Sequence, residues 1–405
     1  MTRFVAVCRS VARQPGFAGL LAANFALGLG YSFVNPFLSM WGTLSIGMRP
    51  LTFGLFMTIT SVSAVVLSTL LARWSDTHVP RRTMLIVGSS GGVIGYAGYA
   101  FVRDPVLLTL IGSFALGVAS VNFSQLFAFV REELARPENA GADAALHMSL
   151  LRVFFSLAWT IGPATGAAVM IHFSYRGIFL ATSALFVLFL LGVLRWVPLR
   201  AHPPVAHRVA PASLVAVFTR PIILVHFVGF VLVFAGFTMN MMNLPLLVTQ
   251  QLGGTEREVG LIFGIAPIVE IPLYVWFGRL AARGHQIGLL RFGVLAAVAY
   301  FLALTFARAP WHIYPMQILS AASIAVTTNV TIMFFQDRLP GQAGLATSVY
   351  SNSFAAGNLL GYFSFGLLVS VIGHRGVFFA CAALCTTTLV AFLLFRHEPP
   401  VTARA

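Results

Sequence analysis

Charged side chains are scarce in this sequence, and their scarcity excludes several classes of protein. Only 9% of the 405 residues are charged, whereas soluble domains usually contain about 25%. Apolar residues make up 58%, and the mean hydropathy is +0.89. So few polar side chains cannot cover so much apolar surface, which argues against a soluble enzyme or a disordered chain. The composition therefore predicts a multi-pass membrane protein.

The sequence also has few cysteines and no lysine. The three cysteines, Cys8, Cys381 and Cys385, are too scattered for a disulfide framework. All 25 basic residues are arginines, and with 11 acidic residues they give a net charge of +14. In so apolar a chain, arginines in cytoplasmic loops explain this charge better than nucleic-acid binding does. We therefore predict a lipid bilayer, and no nucleic acid, around the protein.

Motifs of catalytic and cofactor sites are missing as well. The sequence has no Walker loop, so ATP is not expected to drive the protein. It contains no His-Glu-x-x-His motif and no clustered Cys/His ligand set. We predict no cofactor, no metal site and no enzymatic activity.

Long apolar runs recur along the chain. A helix needs about 20 apolar residues to cross about 30 Å of hydrocarbon. Several runs exceed this length, which indicates tilted or bent helices. The twelve runs lie at roughly 17–45, 51–72, 84–102, 105–130, 144–171, 177–196, 219–250, 257–278, 287–307, 310–335, 341–371 and 376–395. The sequence predicts an all-α membrane protein with twelve transmembrane helices.

The arginines indicate the orientation of these helices. Eighteen lie at one set of span ends and six at the other, and Arg152 lies inside the fifth span. By the positive-inside rule, the larger set faces the cytoplasm. An even number of spans puts both termini on that side, so both are predicted to be cytoplasmic.

The chain also divides into two similar halves. A proline-rich linker at 198–218 separates a half at 1–197 from a half at 219–405. Arg73 ends the second span, and Arg279 ends the eighth span 206 residues later. Two parallel six-helix repeats are the plan of the major facilitator superfamily. We therefore predict this fold with two pseudo-symmetric halves, which one chain supplies as a monomer.

Glu270 is the polar residue that hydrocarbon should tolerate least. It lies midway along the eighth span between Pro267 and Pro272, which are expected to bend the helix. A charge at the midplane costs roughly 2.5–3.5 kcal/mol on insertion scales, and burial disfavours the anion. Such a carboxyl could bind and release a proton, or bind substrate, during a transport cycle. Alternatively, it is a neutral or paired residue that orders the bent helix.

Uncharged polar residues form a larger set inside the spans. Amides that donate and accept hydrogen bonds, with aromatic rings to cover apolar faces, suit a polyhydroxylated ligand. Each could instead form an interhelical hydrogen bond worth about 0.6 kcal/mol. The candidate substrate-binding residues, besides Glu270, are Tyr31, Asn35, Asn122, Gln125, Trp159, Asn240, Asn243, Asn329 and Asn352.

Charged residues near the predicted cytoplasmic ends suggest a gate. Asp76, in the arginine-rich loop after the second span, can pair with a basic group and cap a helix. Arg152 can snorkel to the surface, pair with a carboxylate such as Glu132, or contact a ligand. The candidate gating residues are Arg73, Asp76, Arg131, Glu132, Arg152, Asp337 and Arg338.

Two motifs resemble those of major facilitators. The loop at 72–82 is similar to their signature loop, although the usual glycines are missing. Gly162-Pro163-x-x-Gly166 in span five resembles the motif that marks exporters. Pro163 is expected to bend the helix, and the two glycines to let a neighbouring helix approach closely, as ordinary packing would also require.

Four segments resemble the sugar efflux transporter family of bacterial major facilitators. They lie at 124–132, 151–163, 269–272 and 334–353, and include Glu-Ile-Pro and Gln-Asp-x-x-Pro-Gly-x-x-Gly. The resemblance implies an inner-membrane antiporter that exports sugars, glycosides or their analogues in exchange for protons. Asn243 departs from the family pattern, which has an acidic residue there. Either Glu270 then serves alone, or the substrate differs.

Two other functions remain open. An exporter of drugs or other amphipathic metabolites would keep the same fold, and the 37 phenylalanines are compatible with it. A non-transporting sensor or an intramembrane enzyme is the third possibility. The lack of a signalling domain and of a catalytic cluster argues against it.

Overall fold

The computed structural model of the chain describes residues 16–134, 136, 144–199, 217–340 and 342–395. All regular structure within these residues is helical, which confirms the all-α prediction. Residues 200–216 of the predicted linker lie outside the described residues. So do Cys8 and the terminal arginines that contribute to the predicted orientation.

Ten helical segments follow one another in the described part of the chain. They are α1 Phe17–Ser45, α2 Pro50–Thr77, α3 Arg81–Phe101, α4 Pro105–Leu134, α5 Ala144–Trp196, α6 Pro221–Gln250, α7 Glu256–Leu280, α8 Gln286–Thr305, α9 Pro310–Arg338 and α10 Ala343–Leu394. A π-helical turn, Ala281–His285, joins α7 to α8. With α7 and α8 counted as one, nine segments of this part are long and apolar enough to cross a membrane.

Two of the segments, α5 and α10, break near their middles. α5 has 53 residues and α10 has 52, whereas about 20 suffice to cross a bilayer. Ser174 in α5 has φ 59° and ψ −173°, and Gly373 in α10 has φ 68° and ψ 177°. Such angles end a right-handed helix. Counting each side of the two breaks separately gives twelve helical stretches, in the order of the predicted spans.

The chain forms two compact units. The first consists of Met1–Trp41 and Ile59–Ala206, and the second of Gly42–Thr58 and His207–Ala405. The end of α1 and the beginning of α2 thus group with the later helices.

In the first unit, α1 packs closely against α5. A Cβ atom on Gly166 would lie 2.8 Å from the carbonyl oxygen of Phe33, so only glycine fits this contact without a shift. Nδ2 of Asn24 donates to the carbonyl oxygen of Leu151 at 2.7 Å, across the same pair of helices. The glycines around Pro163 therefore lie where two helices approach closely.

Arginines close the C-terminal ends of several helices. In the first unit, Arg82 near the start of α3 donates to a carbonyl oxygen in the last turn of α5 at 3.0 Å. In the second, Arg291 near the start of α8 donates from Nε and Nη2 to the carbonyl oxygen of Phe392, in the last turn of α10, at 3.0 and 2.8 Å. The last four carbonyls of a helix have no partner within it. These arginines satisfy one such group in each unit, and they do so at corresponding positions.

Candidate functional site

Arg81, the first residue of α3, is the centre of a charged cluster in the first unit. Its Nη2 lies 2.6 Å from Asp76 Oδ1 and 2.8 Å from Glu132 Oε1, and its Nε lies 3.1 Å from the same Glu132 oxygen. Its Nη1 lies 3.0 Å from Gln125 Oε1 and 3.3 Å from Ser75 Oγ. The three guanidinium nitrogens, which carry five hydrogens, thus bind partners on both α2 and α4. We call these five residues the Arg81 cluster.

The sequence prediction included the carboxylates of this cluster but did not include Arg81. Glu132 binds Arg81 rather than Arg152, which is exposed on α5 and forms no ion pair within the described residues. Arg73 and Arg131, which were also predicted to be gating residues, are exposed. One signal for Arg81 was available, because it begins a helix only five residues after Asp76.

The second unit has a corresponding contact between the start of α8 and the end of α9. Gln286 Nε2 donates to Asp337 Oδ2 at 2.6 Å. Gln286 and Asp337 each lie 205 residues after their counterparts, Arg81 and Glu132. In this contact an amide rather than a guanidinium faces the carboxylate, so it has one hydrogen bond and no opposite charge. Arg338 follows Asp337 and places its guanidinium over an aromatic ring, 5.3 Å from the ring centroid.

Glu270 lies on α7 in a polar group that extends to α9. Tyr274 Oη, one turn later on α7, donates to Glu270 Oε2 at 3.0 Å. Thr328 Oγ1 on α9 lies 3.2 Å from Tyr274 Oη, and Asn329 Nδ2 donates to the carbonyl oxygen of Tyr274 at 3.2 Å. Within the described residues Glu270 forms no ion pair. When ionised, this carboxylate is therefore held by a phenolic hydroxyl rather than by a cation.

The sequence prediction included Glu270 and Asn329 but missed Tyr274 and Thr328. A signal for Tyr274 existed, because residues four apart share a helix face. No comparable signal existed for Thr328, because only the fold brings α9 against α7. Pro267 and Pro272 lie inside α7, on either side of Glu270.

Two candidate amide side chains of the second unit form hydrogen bonds to neighbouring helices. Asn243 Nδ2 donates to the carbonyl oxygen of His374 at 2.8 Å, and its Oδ1 lies 2.6 Å from Nδ1 of the same histidine. Asn240 Oδ1 accepts from Tyr300 Oη at 3.4 Å. Both asparagines are buried. These contacts are the interhelical hydrogen bonds that were the alternative to ligand binding.

Two candidates of the first unit are similarly engaged. Tyr31 Oη donates to the carbonyl oxygen of Ala119 at 3.1 Å. Gln125 belongs to the Arg81 cluster and also accepts from Ser75 Oγ at 2.9 Å. Their side chains therefore hold helices of the unit together.

Other candidates keep unused hydrogen-bonding groups. Among the described residues, Asn122 is fully buried and neither of its amide atoms has a partner. The indole Nε1 of Trp159 is also buried without a partner there. Asn35 is half-buried, and Asn352 is exposed. Buried polar groups without partners are uncommon in folded proteins and call for an explanation.

Comparison with known proteins identifies the family. The family model described as Major Facilitator Superfamily matches residues 20–350 and again 227–405. The chain belongs to the major facilitator superfamily. Members of this family are multi-pass membrane transporters rather than enzymes, so both of these predictions are confirmed.

Similar proteins match along almost the whole chain. A Deinococcus radiodurans protein with the provisional name of sugar efflux transporter is 33% identical over 393 residues, covering 95% of this chain and 99% of its own. Sugar efflux transporter A of Dickeya chrysanthemi is 29% identical over 394 residues, covering 97% and 99%. These matches confirm the resemblance to sugar efflux transporters.

Two weaker likenesses complete the comparison. The crystal structure of the nucleoside transporter NupG superimposes with a TM-score of 0.78 at 15% identity, covering 94% of this chain and 98% of NupG, which supports the fold alone. Multidrug resistance protein MdtG of Citrobacter koseri is 29% identical over 180 residues, which cover 43% of this chain.

Proposed function

We propose that this major facilitator is a secondary active exporter of sugars or glycosides, driven by exchange for protons. It works by alternating access in the bacterial inner membrane, as a monomer whose halves are 1–197 and 219–405. Its twelve helical stretches all cross the bilayer, and both termini are cytoplasmic. The observation that carries this proposal is Glu270, a carboxyl group inside a membrane helix that has no cationic partner among the described residues. The relatives' names supply the substrate class.

Glu270 has the surroundings that proton exchange requires. An isolated carboxylate is costly in an apolar medium, so the neutral form is favoured whenever water is excluded. Access to water lowers the free-energy cost of ionising Glu270, and Tyr274 can then donate to the anion at 3.0 Å. Alternating access would therefore alternate proton uptake and release at this one group.

The proposed gating residues act by keeping helix ends together. The Arg81 cluster joins the end of α2 and the start of α3 to the end of α4. Gln286 and Asp337 do the same for α8 and α9. Rigid helix ends allow a group of helices to move as one body, which a transport cycle needs.

Asn122 and Trp159 are the strongest of the proposed substrate ligands in the first unit. Their polar atoms lack partners within the described residues, so a hydroxylated solute that reached them could bind without displacing a hydrogen bond of the protein. Asn35, Asn329 and Asn352 remain proposed ligands as well.

Counterflow of a panel of radiolabelled sugars in proteoliposomes tests the proposal, with wild type beside Glu270→Gln. Counterflow is exchange and needs no net proton movement. We expect a sugar to exchange in both proteins, while only wild type couples its transport to a pH gradient. Equal coupling in both proteins would remove Glu270 from the mechanism. No exchange of any sugar by wild type would remove the substrate class.

A second candidate function is export of amphipathic drugs. Phe123 lies 4.5 Å from Phe127 and 4.8 Å from Phe155 between ring centroids, and it is 40% exposed. An exposed aromatic cluster of this kind binds apolar groups, and the partial likeness to MdtG points the same way. Inhibition of exchange by lipophilic cations, without inhibition by sugars, would favour this candidate.

A further inference from the structure

The contacts around Tyr274 outnumber the hydrogens available to make them. Thr328 Oγ1 lies 2.7 Å from the carbonyl oxygen of Ile324 and 3.2 Å from Tyr274 Oη. A hydroxyl group has one hydrogen to donate and two lone pairs to accept with. A carbonyl oxygen can only accept, and it is the nearer partner, so the hydrogen of Thr328 goes to Ile324. Thr328 therefore offers Tyr274 a lone pair and no hydrogen.

Tyr274 consequently has one hydrogen and two acceptors to choose between. Glu270 Oε2 lies 3.0 Å from Tyr274 Oη, and Thr328 Oγ1 lies 3.2 Å from it. An ionised carboxylate only accepts, and a charge-assisted bond is about twice as strong as a neutral one, so Tyr274 donates to ionised Glu270. A protonated Glu270 is itself a donor. It can donate to Tyr274 Oη, which frees the tyrosine hydrogen for Thr328.

The acceptor on α9 lies in an irregular part of that helix. Thr328 is the middle residue of the π-helical segment Val326–Val330. Isolated π-helical turns are rare and frequently occur at functional sites. The next residue, Asn329, donates to the backbone carbonyl oxygen of Tyr274 at 3.2 Å, so the segment contacts Tyr274 twice.

We propose that the Tyr274 hydroxyl is a relay that signals the protonation state of Glu270 to the π-helical segment of α9. The relay rests on the proposed proton exchange at Glu270. A proton from water joins a Glu270 oxygen, and no other covalent bond forms or breaks. The phenolic hydrogen only turns from Glu270 to Thr328. Tyr350 on α10 interacts electrostatically with Tyr274, and within the described residues no charged side chain acts on Glu270.

Two substitutions should shift the pH dependence of sugar transport driven by a pH gradient in opposite directions. Tyr274→Phe removes the donor to the carboxylate, which favours the protonated form, so the pH of half-maximal coupling should rise by about 1 unit. Thr328→Val removes the acceptor that Tyr274 uses only when Glu270 is protonated. The protonated form loses a bond, and the half-maximal pH should fall by about 0.5 unit.

Thr327→Val is the matched control for Thr328→Val. Thr327 belongs to the same π-helical segment and also donates to helix carbonyls, to Ser323 at 2.9 Å and Ile324 at 3.3 Å. Among the hydrogen bonds of the described residues, none joins Thr327 to Tyr274, so its substitution should leave the half-maximal pH unchanged. General damage to the segment would affect both threonine variants equally.

Infrared difference spectra between low and high pH give a second measurement. Wild type should show a protonated-carboxyl band that is absent in Glu270→Gln, and a tyrosine band that changes with it. The tyrosine change should disappear in Tyr274→Phe and shrink in Thr328→Val. Shifts of the same sign in the two variants, or a Thr328→Val variant that behaves like Thr327→Val, would overturn the relay while Glu270→Gln still loses coupling. Retained coupling in Glu270→Gln would instead overturn the proposed function, and the relay with it.

Discussion

Replacing Arg81 should destabilise the protein more than replacing an exposed arginine without an ion pair in the described residues, such as Arg103. The guanidinium binds Asp76 and Glu132 on two of its nitrogens and Gln125 and Ser75 on the third. Its side chain is 13% exposed, while those of Asp76 and Glu132 are 26% and 36% exposed. Breaking a fully buried pair costs about 3–5 kcal/mol and an exposed pair at most about 1 kcal/mol. Because this cluster is partly exposed, we expect Arg81→Ala to cost about 2–3 kcal/mol.

Arg81→Lys tests whether the three donor nitrogens of the guanidinium contribute to stability beyond its charge. Lysine keeps the charge but has one donor nitrogen, so it cannot reach all four partners, and it should lose about 1–2 kcal/mol. Gln286→Ala breaks the corresponding single contact of the second unit, which is exposed, and should cost less than about 1 kcal/mol. Arg103→Ala is the control, because Arg103 is exposed and has no ion pair within the described residues.

The assay is unfolding of the purified variants in one detergent, followed by fluorescence against denaturant. The expected order of stability is wild type and Arg103→Ala together, then Gln286→Ala, Arg81→Lys and Arg81→Ala. If Arg81→Lys matched wild type, charge alone would hold the cluster and the hydrogen-bond argument would be wrong. If Arg81→Ala matched Arg103→Ala, the cluster would contribute nothing measurable.

Two further predictions concern the packing of each unit. Gly166→Ala should cost about 1–3 kcal/mol in the same assay, because its Cβ would lie 2.8 Å from the carbonyl oxygen of Phe33. Gly288→Ala, where a Cβ meets nothing within 4 Å, should be neutral or gain up to about 1 kcal/mol, and the reverse order would refute the packing argument. Asn243→Ala should cost about 1–3 kcal/mol, because it removes the hydrogen bonds to the ring and to the backbone carbonyl of His374. Sugar counterflow should survive in a refolded Asn243→Ala, and its specific loss in a stable variant would make Asn243 a ligand after all.

The sequence predicts the features of this protein that depend on the membrane itself. The thickness of hydrocarbon sets the length of apolar runs, so α1 to α10 fall where the predicted spans lie. The cost of a charge in hydrocarbon makes Glu270 conspicuous without any knowledge of its neighbours. The breaks at Ser174 and Gly373 lie in the gaps between predicted spans, since a chain must turn back at the surface.

The sequence does not predict which polar groups meet one another. Thr328 and Tyr274 are 54 residues apart, and Arg81 and Glu132 are 51 apart. Such pairs depend on how neighbouring helices pack, which no local pattern specifies. For the same reason, Asn243 could be recognised as a polar residue in hydrocarbon, but its bonds to His374 could not be foreseen.

The arginine caps impose an order on how each unit is completed during synthesis. Arg291 reaches the membrane with α8, but its acceptor, the carbonyl oxygen of Phe392, is made only when the end of α10 has been translated. Arg82 is likewise synthesised before its acceptor at the end of α5. Until then the carbonyl oxygen that each arginine binds has not been synthesised. A chain that is interrupted before this point therefore lacks the hydrogen bond.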